Sequence, residues 1–265
     1  MNFNMKPEMN KEILVANLYF QAVFPVIKIL LQDDPALARK FAKVKSRVVF
    51  KAKSGEGEWI GCTLIFDEGA FSLDFEDFSK GDIVFGFSSV EKMNTFLKGG
   101  AALPKIKGFT KPILLAKVIS LLLSLKLMMP DVMPKAPLKK YLKVKMALSM
   151  VTLALSKLNH FDYPDMKAWT KNQPDRVYQL SVNDSDIAVY LRVKAGKTKA
   201  GKGLYQRRRP FIHMRFGSVY AALKILLREA EFVEGVDKGY VSIEGSPEYA
   251  AQLNDLMMRV QALTT

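Results

Sequence analysis

The chain has 265 residues, 49% hydrophobic and 25% charged, a composition that excludes a disordered polymer and allows one large domain or two modest ones. Forty Lys and Arg against 26 Asp and Glu give a net charge of +14, which favours an anionic partner and leaves the fold open. Cys62 is the only cysteine, so no intramolecular disulfide or thiolate metal cluster can form; it reads as a small buried hydrophobe in a reducing compartment.

The amino terminus lacks a secretory cleavage pattern, and a cytoplasmic location is expected. From Met9 to about Gln32 apolar residues recur at helical spacing (Ile13, Leu14, Leu18, Phe24, Ile27), with a kink expected at Pro25. Residues 47–53, 58–66, 70–77 and 83–87 are short, aromatic or β-branched runs separated by hairpin-length turns, which predicts an antiparallel meander. Phe71, Leu73 and Phe75 fall on one face of the third strand, while Ser72, Asp74 and Glu76 fall on the other, solvated one. Ser88-Ser89-Val90-Glu91 fits a helix-starting capping box with Ser88 as N-cap. Pro112 to Met129 is apolar enough to suggest a membrane span. Lys117 and Lys126 disfavour that, leaving a helix buried in its own fold or one covering an apolar cavity.

Pro130, Pro134 and Pro137 interrupt the chain near its midpoint, and the order of elements then recurs. A helix is predicted over 138–158, strands over 176–182, 186–193 and 210–216, and a helix after Gly217-Ser218. A short strand follows at 240–243, then a helix capped at Ser246 with Pro247 in its first turn. Setting Ile83 on Ile212 also matches Phe87 with Phe216, Ser89 with Ser218, Val90 with Val219, Leu97 with Leu226 and Ala101 with Ala230. The chain therefore reads as a tandem duplication, with units 1–134 and 135–265.

Phe216-Gly217-Ser218-Val219-Tyr220-Ala221-Ala222-Leu223-Lys224-Ile225-Leu226-Leu227, followed by Lys238-Gly239-Tyr240-Val241-Ser242-Ile243-Glu244-Gly245, resembles the sterol carrier protein type 2 family. The resemblance covers about the last 90 residues and extends more faintly over 47–125, where Lys105-Ile106-Lys107-Gly108 replaces the fuller strand motif. It implies an α+β fold of two sterol-carrier-like repeats, each a small, mainly antiparallel, curved sheet covered by helices. It further implies carriage of a sterol, fatty acid or acyl-CoA in an apolar tunnel, without catalysis and without a cofactor.

The residues themselves offer little catalytic chemistry. His160 and His213 lack neighbours at metal or triad spacing, and no phosphate-binding loop is present. Methionines such as Met128, Met129, Met146, Met150 and Met257 gather on the most apolar helices, which suits an adaptable lipid cavity or a packed core equally well. Helical and strand periodicity select Phe71, Leu73, Phe75, Leu115, Val118 and Leu122 as the pocket of the first unit, and Val189, Leu191, Leu227, Leu253, Leu256 and Met257 as that of the second. The positive charge sits in two blocks. Residues 98–145 carry 11 lysines against Asp131, and 192–215 carry nine basic residues and no acid. The second block, with Lys197, Lys199, Lys202, Arg207, Arg208 and Arg209, reads as a mobile basic hairpin suited to transient contact with an anionic membrane surface or to acyl-CoA phosphates. Nucleic acid is the weaker expectation, since interleaved aromatic platforms are missing. The alternative to lipid carriage is an interaction module with a collapsed pocket, docking on a protein or on its own copy.

Overall fold

The computed structural model describes residues 10–264; the expected helix start at Met9 lies outside them. Helix α1 (Lys11–Leu18) is capped by the Asn10 side chain, which accepts from the amides of Glu12 and Ile13. It runs on through a π turn (Tyr19–Val23) and a 3₁₀ turn (Phe24–Val26) into α2 (Ile27–Asp33). Pro25 has no amide to donate and crowds the preceding turn, so the hydrogen-bond ladder re-phases there without breaking. Asp34 then caps α3 (Pro35–Phe41), a seven-residue helix too short for apolar periodicity to reveal.

The first sheet is built from β1 (Lys45–Lys53), β2 (Trp59–Asp67), β3 (Ala70–Asp74), β4 (Ile83–Phe87) and β5 (Lys105–Lys107) in the order β3-β2-β1-β4-β5. Helix α4 (Val90–Leu97) lies between β4 and β5, and α5 (Pro112–Leu125) follows β5, ending in a 3₁₀ turn, Lys126–Met128. The second half opens with α6 (Pro137–His160) and α7 (Pro164–Lys171). Its sheet contains β6 (Arg176–Val182), β7 (Ala188–Lys194), β8 (Lys197–Lys202), β9 (Ile212–Phe216) and β10 (Val241–Glu244), ordered β8-β7-β6-β9-β10. Helices α8 (Val219–Leu226), α9 (Phe232–Asp237) and α10 (Pro247–Thr264) complete the fold. The protein is thus α+β, with two five-stranded mixed sheets of matching strand order.

Three pairings in each sheet are antiparallel, but β1 with β4 and β6 with β9 are parallel. This corrects the expected meander. The chain leaves the edge strand and crosses the outer face of the sheet before returning beside its centre. In the first crossing, Thr63 Oγ1 donates to the Asp77 carbonyl and the Phe78 ring lies over Gly61, where a Cβ would come within 2.7 Å of the ring. In the second, Gln179 donates to the Gly203 carbonyl and accepts from the Tyr205 amide at 2.9 Å. The hairpins β2–β3 and β7–β8 turn on Glu68-Gly69 and Ala195-Gly196, all four with positive φ as two-residue primed turns require. The caps of α4 and α8 are Ser89 and Ser218, accepting from Lys92 and Ala221. Ser89, not Ser88, has the extended backbone that aims its hydroxyl at the third helical amide, and Glu91 then falls one position short of a capping box.

Two apolar cores lie against the sheets, and two helical segments serve both. From the first segment, Leu14, Leu18 and Tyr19 enter the second core while Ala16, Phe20 and Phe24 enter the first; from α6, Leu142 and Met146 enter the first and Val144, Leu148 and Leu155 the second. Packing therefore crosses the chain midpoint. Lys11–Asp33 is long and apolar enough to cross a membrane by length and composition, and most of it is buried between these cores.

Lys143, on α6, is 2% exposed and donates to the carbonyls of Leu127 (3.0 Å), Met129 (2.5 Å) and Val132 (2.8 Å), fixing the chain after α5. Burial pushes its ammonium pKa down to about 8. Lys143→Met should lower stability by about 2–4 kcal/mol, because three carbonyls lose their donor. The unfolded chain keeps this proton up to the ordinary lysine pKa of about 10.4, so the wild type should gain on the variant as pH rises above about 8. Urea titrations of both proteins across that range would test this; a gap independent of pH would contradict it.

Candidate functional site

An apolar cavity of about 400 Å³ opens at the β4–β5 edge of the first sheet. Phe85 and Ile106 of that edge face it, α4 contributes Phe96 and Leu97, and α5 contributes Ile119, Leu122, Leu123 and Leu125. The opposite wall comes from the central helices, through Tyr19, Val23, Phe24 and Met150, and Met128 and Met129 close one end. The space exists because α5 is apolar on most of its circumference, with Lys117, Ser120 and Ser124 on one narrow stripe, yet fully buries only Val118 and Leu121. At the mouth, Gly99 and Gly100 replace side chains with open backbone; a Cβ on Gly99 would sit 3.5 Å from Met129 Cε and 3.9 Å from Lys126 Cε. Gly99 also has φ +85°, the left-handed geometry that ends α4.

Few polar groups reach this space. The Tyr19 hydroxyl donates to the Thr264 carbonyl at 2.6 Å, and burial pushes the phenol upward, so it stays a neutral, satisfied donor. Lys126 borders the mouth, is exposed, and has no carboxylate partner among the described residues. The arrangement can hold an apolar body with a polar or anionic end near Lys126.

Of the predicted pocket residues, Leu122 lines this cavity. Val118 is buried in the first core and Leu115 packs against it. Phe71 and Leu73 are half-buried on β3 and Phe75 is exposed just beyond it; β3 is the opposite edge of the sheet from β5. In the second half, Val189, Leu191, Leu253 and Leu256 are buried in the second core, with Leu227 and Met257 packed against it. Val189 and Lys202 also border a polar recess of about 230 Å³, where Lys145 bridges Asp33 and Asp186 at 2.7 and 2.8 Å. Sequence periodicity misses the central-helix wall altogether. The clustering of Met128, Met129 and Met150 is the signal that points toward it.

The basic block is divided between a strand and the crossing segment that follows it, and is not one loop joining two strands. Lys197, Lys199 and Lys202 lie on β8, an edge strand, because the turn Ala195-Gly196 pairs Lys194 with Lys197. Arg207, Arg208 and Arg209 follow in the crossing that Gln179 ties down. Asp175 accepts from Arg192 and Arg208, each at 2.5 Å, and these hydrogen bonds hold its carboxyl well below the usual carboxylate range. Arg209 approaches Glu244 at 3.7 Å. Lys197, Lys199 and Arg207 are exposed without ion pairs among the described residues. None of the six residues borders the cavity.

Ser181 Oγ lies 2.8 Å from His213 Nε2, which superficially resembles a nucleophile and its base. Arg215 donates to the other ring nitrogen, Nδ1, at 3.2 and 3.1 Å. Nε2 must then carry the proton and donate to Ser181, so it cannot accept the serine proton. Burial, aided by Arg215, lowers the His213 pKa. The unfolded histidine, with a pKa of about 6.5, takes up its proton first as pH falls. Stability should therefore decline below about pH 6.5 through the folded-state pKa, and His213→Gln should flatten that decline. Thermal melts of both proteins from neutral to mildly acidic pH would check this; identical pH dependences would contradict it.

No family model and no curated protein matches the sequence. Among solved structures, a sterol carrier protein 2-like protein from Aedes aegypti aligns with 42% of this chain and 97% of its own, at 15% identity and a TM-score of 0.29. Sterol carrier protein domain 2 of Helicoverpa armigera aligns with 44% of this chain and 95% of its own, at 18% identity and a TM-score of 0.32. A sec-alkylsulfatase from Pseudomonas sp. aligns with 63% of this chain over 31% of its own, at 11% identity and a TM-score of 0.25.

Proposed function

We propose that the protein is a non-catalytic lipid carrier, taking a single amphipathic lipid into the cavity between β4–β5, α4, α5 and the central helices. The observation that carries this reading is a space of about 400 Å³ with almost wholly apolar walls and, at its mouth, Lys126, which has no carboxylate partner among the described residues. Its size falls within the range of about 300–1,000 Å³ usual for small-molecule sites. Fatty acid, acyl-CoA and sterol all match an apolar body; an anionic head group would also use Lys126. The His213 tautomer argues against acyl-transfer chemistry at Ser181.

The two halves are read as tandem units, of which only the first holds ligand. Matching strand order, paired primed turns and serine caps at equivalent positions support duplication. The helix ends agree as well: Gly99 and Arg228 both have positive φ, and the next amides, of Gly100 and Glu229, bond back to Thr95 and Lys224. In the second unit α10 buries Leu253, Leu256, Val260 and Leu263 in the core. Native mass spectrometry of gently purified protein should show one lipid per chain, and fluorescent fatty acids should be taken up with 1:1 stoichiometry. A protein that stays empty and ignores fatty acids, acyl-CoA and sterols would refute the carrier reading.

A further inference from the structure

We infer that the outer face of α5, with the segment leading into it, docks on an anionic phospholipid bilayer. The purpose of such docking, ligand exchange at the cavity mouth, rests on the carrier reading; the docking surface itself does not. Helical spacing sets Ile113, Ala116, Ile119, Leu123 and Lys126 along one side of α5. That side is open to solvent, with Ile113 74% exposed, and the preceding segment adds Leu103 at 90% and Phe109 at 67%. Scattered exposed apolar residues are ordinary, but Leu103, Phe109, Ile113, Ile119 and Leu123 gathered on one helix and the segment leading into it are not. Leu103, Ile119 and Leu123 also line the cavity, so the stripe and the mouth are one surface.

The charge around it identifies the occupant. Residues 98–135 carry seven lysines and one acid, Asp131. Lys105, Lys107, Lys126 and Lys135 are exposed, whereas Lys111 pairs with Asp82. A second copy of the chain laid on this face would bring two lysine-rich rims together, a like-charge contact that disfavours association. An anionic bilayer satisfies both features, since its acyl region accepts the apolar stripe and its head groups accept the lysines. With 14 residues, α5 is about 21 Å long, too short for a hydrocarbon core of about 30 Å, so it lies along the interface.

Flotation with phosphatidylserine-containing and pure phosphatidylcholine vesicles tests the inference. Wild type should bind the anionic vesicles at least about tenfold better, and this preference should fall with added salt. Phe109→Ser/Ile113→Ser, at two residues that do not line the cavity, should reduce vesicle binding about tenfold or more while leaving fluorescent fatty acid uptake in solution unchanged. Lys105→Ser/Lys107→Ser should reduce binding to anionic vesicles several-fold, and Arg207→Ser/Arg208→Ser/Arg209→Ser should leave it unchanged. The inference is overturned if wild type ignores anionic vesicles or if the arginine triple variant alone loses binding. It is equally overturned if Phe109→Ser/Ile113→Ser abolishes only a concentration-dependent self-association. Vesicle binding without lipid uptake would refute the carrier reading and leave the docking surface standing.

Discussion

Leu122→Trp should weaken fluorescent fatty acid binding at least about tenfold, equivalent to about 1.4 kcal/mol, with little change in the urea midpoint. Leu122 sits on the cavity wall of a helix that is only partly packed, so a larger ring enters space that is otherwise empty. The same change at Leu253 meets different physics. That residue is 1% exposed within the second core, and overpacking there costs about 1–3 kcal/mol in strain. Leu253→Trp should lower the midpoint while the folded fraction binds lipid as wild type does. Were Leu122→Trp to unfold the protein and leave affinity intact in what remains folded, the first-unit space would be part of a core. Were Leu253→Trp to block binding at full stability, the ligand site would lie in the second unit.

That contrast also explains which parts of the molecule could be read from the chain. Strands such as β6, with Arg176–Val182 matching expectation at both ends, follow from local β-branched and aromatic content. The parallel β1–β4 and β6–β9 pairings do not. Hairpin-length gaps predict a meander, and the crossings depend on contacts far apart in sequence, such as Thr63 with Asp77 and Gln179 with Tyr205. The cavity is harder still. Apart from the narrow stripe of Lys117, Ser120 and Ser124, α5 is apolar, and Leu115, Val118 and Leu122 share one face of it, so periodicity makes them look equivalent although only Leu122 reaches the space. The alternation of Phe71 and Leu73 marks the face of β3 that packs on the first core, but Phe75 lies exposed beyond the strand's end. The alternation says nothing of which sheet edge the strand occupies, and β3 lies at the edge away from the cavity. Tyr19, Phe24 and Met150 come from helices shared by both cores, an arrangement no local pattern encodes.

Gly108→Ala and Gly245→Ala should each cost about 3 kcal/mol or more, and by similar amounts. Both glycines follow the last strand of a sheet, have φ of +101° and +107°, and would place a Cβ 2.2 Å from a backbone carbonyl, that of Asp82 or Phe211. Those two residues occupy the same place in each half. Their amides donate to the carbonyls of Arg47 and Val177 just before the parallel strands β4 and β9 begin. The backbone cannot yield to the methyl group without loosening the parallel pairing, so steric displacement adds to a conformational cost of about 1–2 kcal/mol. Gly57→Ala isolates that smaller cost, since Gly57 has φ +87° and nothing within 4 Å of an added Cβ; about 1 kcal/mol is expected there. Urea midpoints of the three variants provide the comparison, and a Gly108 variant no weaker than the Gly57 one would contradict the close approach. Lipid uptake then separates the halves. Gly108 directly follows β5, whose Ile106 faces the cavity, so Gly108→Ala should lower affinity in the molecules that still fold, whereas Gly245→Ala should lower stability alone.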